Sequence, residues 1–115
     1  MTTTPTKTIT RSDLARRLAD GAAPVVLLEA LPEGYFLKGH LPTARNMPHD
    51  RVRQLAPALL PRKDVAIVVY CASRTCSNSE VAARALAGLG YEDVSVFPGG
   101  KQEWEEAGLP LEVSP

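Results

Sequence analysis

The sequence lacks an apolar run approaching the ~20 residues that a membrane-spanning helix requires, which excludes such a helix and leaves no expectation of a membrane partner. It also lacks net charge. Lys plus Arg number 13 and Asp plus Glu number 13, so no overall positive field exists to draw in nucleic acid or acidic lipid. Any anion site must therefore be local. Cysteine is scarce: two residues in 115 are too few for a disulfide framework, and in a chain long enough to bury a core unaided they point to thiol chemistry in a cytoplasmic setting. There is no internal repeat and no low-complexity tract. Hydrophobic residues at 44% and charged residues at 23% are ordinary for a soluble globular protein of one domain. Residues 1–8 are polar, without the basic start and apolar stretch of a secretory signal, and read as a disordered lead to a single domain over residues 9–115.

What is present alternates between two kinds of element. Thr10 caps an expected helix carrying Leu14 and Leu18 at i, i+4 spacing, which Gly21 ends. Val25 to Leu28 is an aliphatic run suited to a strand covered on both faces, with Glu29 at its exit. Pro32 to Gly39 reads as a turn with an irregular helical stretch, and a short strand is expected near Ala44 to Met47. Asp50 to Leu60 has helical character that Pro57 should break or divide. Val65 to Tyr70 is the strongest strand signal, apolar and rich in β-branched residues, and belongs at the centre of a sheet. Ser77 to Leu89 follows as a helix with Val81, Ala82, Ala85, Leu86 and Leu89 on one face, closed by Gly90. Val94 to Phe97 is the next strand, and Pro98, Gly99 and Gly100 turn the chain into a last short helix holding Trp104. This alternation predicts an α/β domain: a small, doubly wound, mainly parallel sheet with helices on both faces. Ligands of such sheets bind beyond the carboxyl ends of the strands, where Cys71 falls.

Cys71 opens a loop of small and polar residues, Ala72, Ser73, Arg74, Thr75, Cys76 and Ser77, between the central strand and a helix. A loop curled round the sulfur would aim backbone N–H groups and the positive end of the helix at it, lowering the thiol pKa from its usual ~8.5 and favouring the nucleophilic thiolate. Arg74 would add charge to that cradle. The same donors suit an anionic sulfane sulfur that must stay open to an incoming thiol.

Three separated blocks, VVLLEALPEGYFLKGHLPTARNMP (Val25 to Pro48), VVYCASRTCS (Val68 to Ser77) and FPGGKQEWEEAGLPL (Phe97 to Leu111), together resemble the rhodanese family of single-domain sulfurtransferases. The resemblance implies a sheet of about five strands. It implies that Cys71 is the persulfide-forming cysteine and that Cys71 to Cys76 form the active loop. By it the reaction moves sulfur from thiosulfate or a persulfide donor, through Cys71, to a small thiol, a protein thiol or cyanide, with no metal or organic cofactor. Phosphatases sharing the fold use a longer loop ending in arginine, and Ser77 holds the corresponding place here.

Two departures from the common family pattern stand out. Glu29 and Ala30 replace an aspartate and arginine, removing a structural ion pair. Cys76 replaces an arginine that helps to bind thiosulfate. The resulting Cys-x4-Cys loop makes Cys76 a candidate resolving or receiving thiol, and it equally fits a redox or persulfide sensor module built on the Cys71 and Cys76 pair. His40 and His49 do not combine with this cysteine spacing into the usual zinc patterns. His40 is expected to fix a loop, Trp104 to lie in the core, and Glu29 to bond nearby backbone.

Overall fold

The aliphatic run that ends at Tyr70 becomes the middle strand of five. In the computed structural model, which describes residues 7–20 and 25–113, the strands are β1 (Lys7–Thr8), β2 (Val26–Glu29), β3 (Arg45–Asn46), β4 (Ala66–Tyr70) and β5 (Asp93–Phe97). The helices are α1 (Arg11–Ala19), α2 (Glu33–Lys38), α3 (Val52–Leu59), α4 (Asn78–Gly88) and α5 (Gly100–Glu106). The strand order is β1-β5-β4-β2-β3 and each pairing is parallel, so the expected α/β doubly wound architecture is the one found.

Side chains alternate across the central strands and so feed two cores. On one face Leu28, Ile67, Val69, Val94 and Val96 meet Val52 and Ala56 of α3 and Ala82, Ala83 and Leu86 of α4. On the other Leu27, Val68, Tyr70 and Phe97 meet Leu14 of α1 and Trp104 of α5. Burial on both faces explains why β2 and β4 are nearly unbroken aliphatic runs. Thr10 caps α1, its hydroxyl accepting the Asp13 N–H at 3.1 Å. Gly90, with φ of +99°, ends α4 by bonding back to the Ala87 carbonyl.

Some expectations need correction. Lys7 and Thr8 are not part of a disordered lead: they form β1, in register with Ser95 and Val96. An edge strand of two exposed residues has no buried face to impose an apolar pattern, which is why its sequence looks like a tail. The rest of that lead, and Gly21, lie outside the described residues. Pro57 does not break α3 but sits inside it. Pro57 and Arg53 are both exposed, so water can solvate the Arg53 carbonyl that the missing N–H leaves unbonded. Val81, assigned above to the apolar face of the helix, is 46% exposed, and the buried stripe of α4 runs through Ser79, Ala82, Ala83 and Leu86. The helix runs from Asn78 to Gly88, with Ser77 and Leu89 as its flanking positions and not its end residues.

Leu28 is fully buried between the sheet and α3 and α4. Leu28→Ala is expected to lower unfolding free energy by about 2–5 kcal/mol, the range for a deleted core leucine. Urea denaturation checks this, through a lower midpoint at unchanged slope.

Candidate active site

β4 is flanked by β2 and β5, and its carboxyl end delivers Cys71 to the place where the sheet's connections diverge. The residue is 1% exposed. Its thiol donates to the Cys76 carbonyl at 3.2 Å, and the sulfur lies 3.5 Å from Ser79 Oγ. Between these points the chain closes on itself: the Cys76 N–H donates to the Ser73 carbonyl at 3.1 Å, and the Ser73 and Thr75 hydroxyls stand 3.0 Å apart. Ala72, Arg74, Thr75 and Ser77 are exposed on the rim, while Cys76 is half-buried. A cleft of 230 Å³ beside the loop is lined by Arg74, Thr75, Cys76, Ser79, Glu80 and Pro98 among others.

Three features differ from the cradle expected from sequence. The Cys71 thiol pKa is raised, not lowered. Burial is the main cause, and the Cys76 thiol side chain beside it adds to the rise; the N–H and hydroxyl of Ser79 oppose both by favouring the thiolate. The anion-favouring donors thus come from the first turn of α4, at buried Ser79, and the Cys76 amide within the loop is turned to Ser73 instead. Arg74 pairs with Glu103 of α5 at 3.1 Å, so its charge is matched there.

The start of the loop is gripped by α5. The Lys101 N–H donates to the Cys71 carbonyl at 3.0 Å and the Gln102 N–H to the Ala72 carbonyl at 2.9 Å. Gly100, with φ of +60°, makes this approach possible, since a Cβ there would lie 2.2 Å from the Cys71 oxygen. Behind the loop sits a buried polar network. The Tyr70 hydroxyl donates to Glu29 Oε1 at 2.7 Å and accepts from the Leu41 N–H at 3.1 Å. The Lys101 ammonium lies 3.0 Å from Glu29 Oε2 and donates to the Tyr35 carbonyl at 2.8 Å. Burial raises the Glu29 pKa, and the Tyr70 and Lys101 contacts pull it back. Glu29 therefore bonds side chains, where its side chain was expected to bond backbone, and it pairs with a cation although residue 30 supplies none. Its cation comes from α5, 72 positions along the chain from Glu29, so no neighbouring residue betrays it.

His40 fixes its loop as expected, with Nδ1 3.2 Å from the Phe36 carbonyl and its ring stacked on Phe36. Trp104 is core, its Nε1–H donating to the Pro110 carbonyl at 2.9 Å. Ser79, Tyr70 and Lys101 were missed as site residues. Helix phase gives a signal for Ser79, a polar residue on the inner face of the first turn of α4, whereas nothing local distinguishes Lys101.

The rhodanese-like domain family matches residues 10–107. The chain belongs to that family. Among relatives of this rhodanese-like domain is the HTH-type transcriptional regulator Rv0324 of Mycobacterium tuberculosis, 33% identical over 108 residues, which are 94% of this chain and 46% of the regulator. The adenylyltransferase and sulfurtransferase UBA4 of Candida albicans is 34% identical over 87 residues, covering 70% of this chain and 19% of that protein. The chain thus spans about half the length of the first relative and a fifth of the second. Among solved structures, a thiosulfate sulfurtransferase from Pseudomonas aeruginosa superposes with a TM-score of 0.80 at 33% identity, over 94% of this chain and 20% of that one. A rhodanese-related protein from Thermoplasma volcanium gives a TM-score of 0.77 at 26% identity, over 94% of this chain and 99% of that one.

Because its thiol is held neutral, Cys71 should alkylate slowly near neutrality. Its rate with iodoacetamide is expected to rise about tenfold per pH unit from about pH 7 to 9, following the thiolate fraction. Peptide mass spectrometry of the modified residue checks this, and a plateau near neutral pH would contradict the raised pKa.

Proposed function

We propose that this rhodanese-like domain is a sulfurtransferase that carries sulfane sulfur as a persulfide on Cys71. The observation that carries the reading is the position of Cys71. It is the first residue beyond the central strand, inside a closed loop, with the Ser79 N–H and hydroxyl of the following helix favouring its anion. The Cys71 thiolate attacks the outer sulfur of thiosulfate, forming a sulfur–sulfur bond as sulfite leaves with the electron pair of the broken one. An acceptor thiolate or cyanide then attacks the outer sulfur of the persulfide and returns Cys71 as thiolate. A raised pKa leaves less thiolate, but each thiolate is intrinsically more nucleophilic. With no arginine at position 76 and Arg74 engaged by Glu103, a persulfide donor suits the loop better than thiosulfate.

A second reading has its own support. Cys76 is half-buried and its carbonyl touches the Cys71 sulfur, and one relative over nearly the whole chain is named a transcriptional regulator. In that reading the domain is a redox or persulfide sensor in which Cys76 attacks the Cys71 persulfide. Attack on the inner sulfur forms a disulfide and releases sulfide; attack on the outer sulfur moves the persulfide to Cys76.

Incubation with thiosulfate or a persulfide donor is expected to add one sulfur to Cys71, seen by intact and peptide mass spectrometry, and Cys71→Ser should abolish the addition. Failure of several donors to load the folded protein sinks the enzymatic reading. Cyanide-dependent turnover separates the two readings. Unchanged or increased rates in Cys76→Ser support the enzyme, whereas negligible turnover in the parent together with a reversible Cys71 to Cys76 bridge supports the sensor.

A further inference from the structure

Glu29 is fully buried at the end of β2, and among the described residues its Oε2 has no partner but the Lys101 ammonium. A carboxylate so placed is costly unless it is paired, so the contact fixes where Lys101 stands. Lys101 is also the residue whose N–H holds the Cys71 carbonyl, and it follows Gly100, which touches that same carbonyl. The other oxygen of Glu29 holds the hydroxyl of Tyr70, the residue immediately before Cys71. One carboxylate therefore controls the position of Cys71 from two directions, through the side chain that precedes it and through the backbone donor that grips its carbonyl.

We propose that Glu29 and Lys101 are positioning residues for the Cys71 loop, forming a buried latch that keeps the start of α5 docked on it. The latch reaches further through the Tyr35 carbonyl, which accepts from the same ammonium, so α2 is held against the site as well. Residue 30 is a buried alanine and supplies no cation beside Glu29, which leaves α5 as the source of one. The pair thus acts between the last residue of β2 and the second residue of α5, and it cannot form unless the loop start is in place. Neither residue touches the sulfur, and neither is assigned a proton in the reaction. The inference rests on Cys71 being the reacting residue, but its test does not require sulfur transfer.

Cys71 alkylation by iodoacetamide is measured across pH in the parent, Lys101→Met, Lys101→Arg and the double variant Glu29→Gln with Lys101→Met, alongside thermal unfolding. Releasing the latch should let the loop open locally, raising Cys71 alkylation at about pH 8 by about fivefold or more in folded Lys101→Met. Lys101→Arg restores the cation and should return the rate to within about twofold of the parent. Lys101→Met leaves a buried carboxylate unpaired and risks failing to fold. The double variant removes that charge, and it should fold and show the same increase. Sulfur loading should fall about tenfold in the latchless proteins with little change in donor KM, as for a lost near-attack geometry. Alkylation within about twofold of the parent in the folded double variant overturns the proposal. Failure of the parent to load with any donor counts against persulfide chemistry alone and leaves the alkylation comparison standing.

Discussion

Between Gly100 and the carbonyl of Cys71 there is no room for a side chain, and most of the site's geometry follows from that contact. Only glycine combines a left-handed backbone with so close an approach. Through it the first turn of α5 lies against the loop start and donates two N–H groups to it, from Lys101 and Gln102. The tight contact also explains why a polar network can survive behind the loop. Glu29, Tyr70 and Lys101 are mutually satisfied only while strand ends and helix start remain together. The glycine pair at the start of α5 is therefore part of the active site's architecture, though neither glycine carries any chemistry.

The Cys71 sulfur is balanced between opposing influences. Burial and the neighbouring Cys76 side chain keep it neutral, while Ser79 favours the anion, and the first influence prevails in this structure. A thiol held in this way is protected from casual oxidation, since the oxidation ladder begins from the thiolate. It also gives position 76 a role in the resting state, through both its backbone and its side chain. The backbone carbonyl of Cys76 accepts from the resting thiol, and its side chain also favours the neutral form of Cys71.

The fold was largely legible because the periodicities that define it are strong. Val65 to Tyr70 announces a central strand, and the same strand end announces where Cys71 must lie. Tertiary context hid other features. Lys7 and Thr8 carry no buried face, Pro57 is tolerated only because its helix face is wet, and Val81 was drawn into the apolar stripe by its type. At the site, sequence located the nucleophile and its loop but not the balance of forces on the sulfur. That balance depends on how deeply the sulfur is buried and on which groups of Cys76 and Ser79 approach it, which the local residue pattern does not show. Lys101 was invisible for a related reason: its partner is distant in the chain, and an exposed lysine on an amphipathic helix has the same signature.

Among the described residues the two margins of the sheet are both short. β1 and β3 contribute two residues each, and charged groups stand there: Lys7 bonded to Asp93 at one margin, and Arg45 at the other, bonded to the Leu59 carbonyl. A long bare edge would invite a neighbouring molecule to extend the sheet and polymerise. Among the described residues, brevity and charge leave little of such a template, and the least apolar strands of the sheet are its two edges.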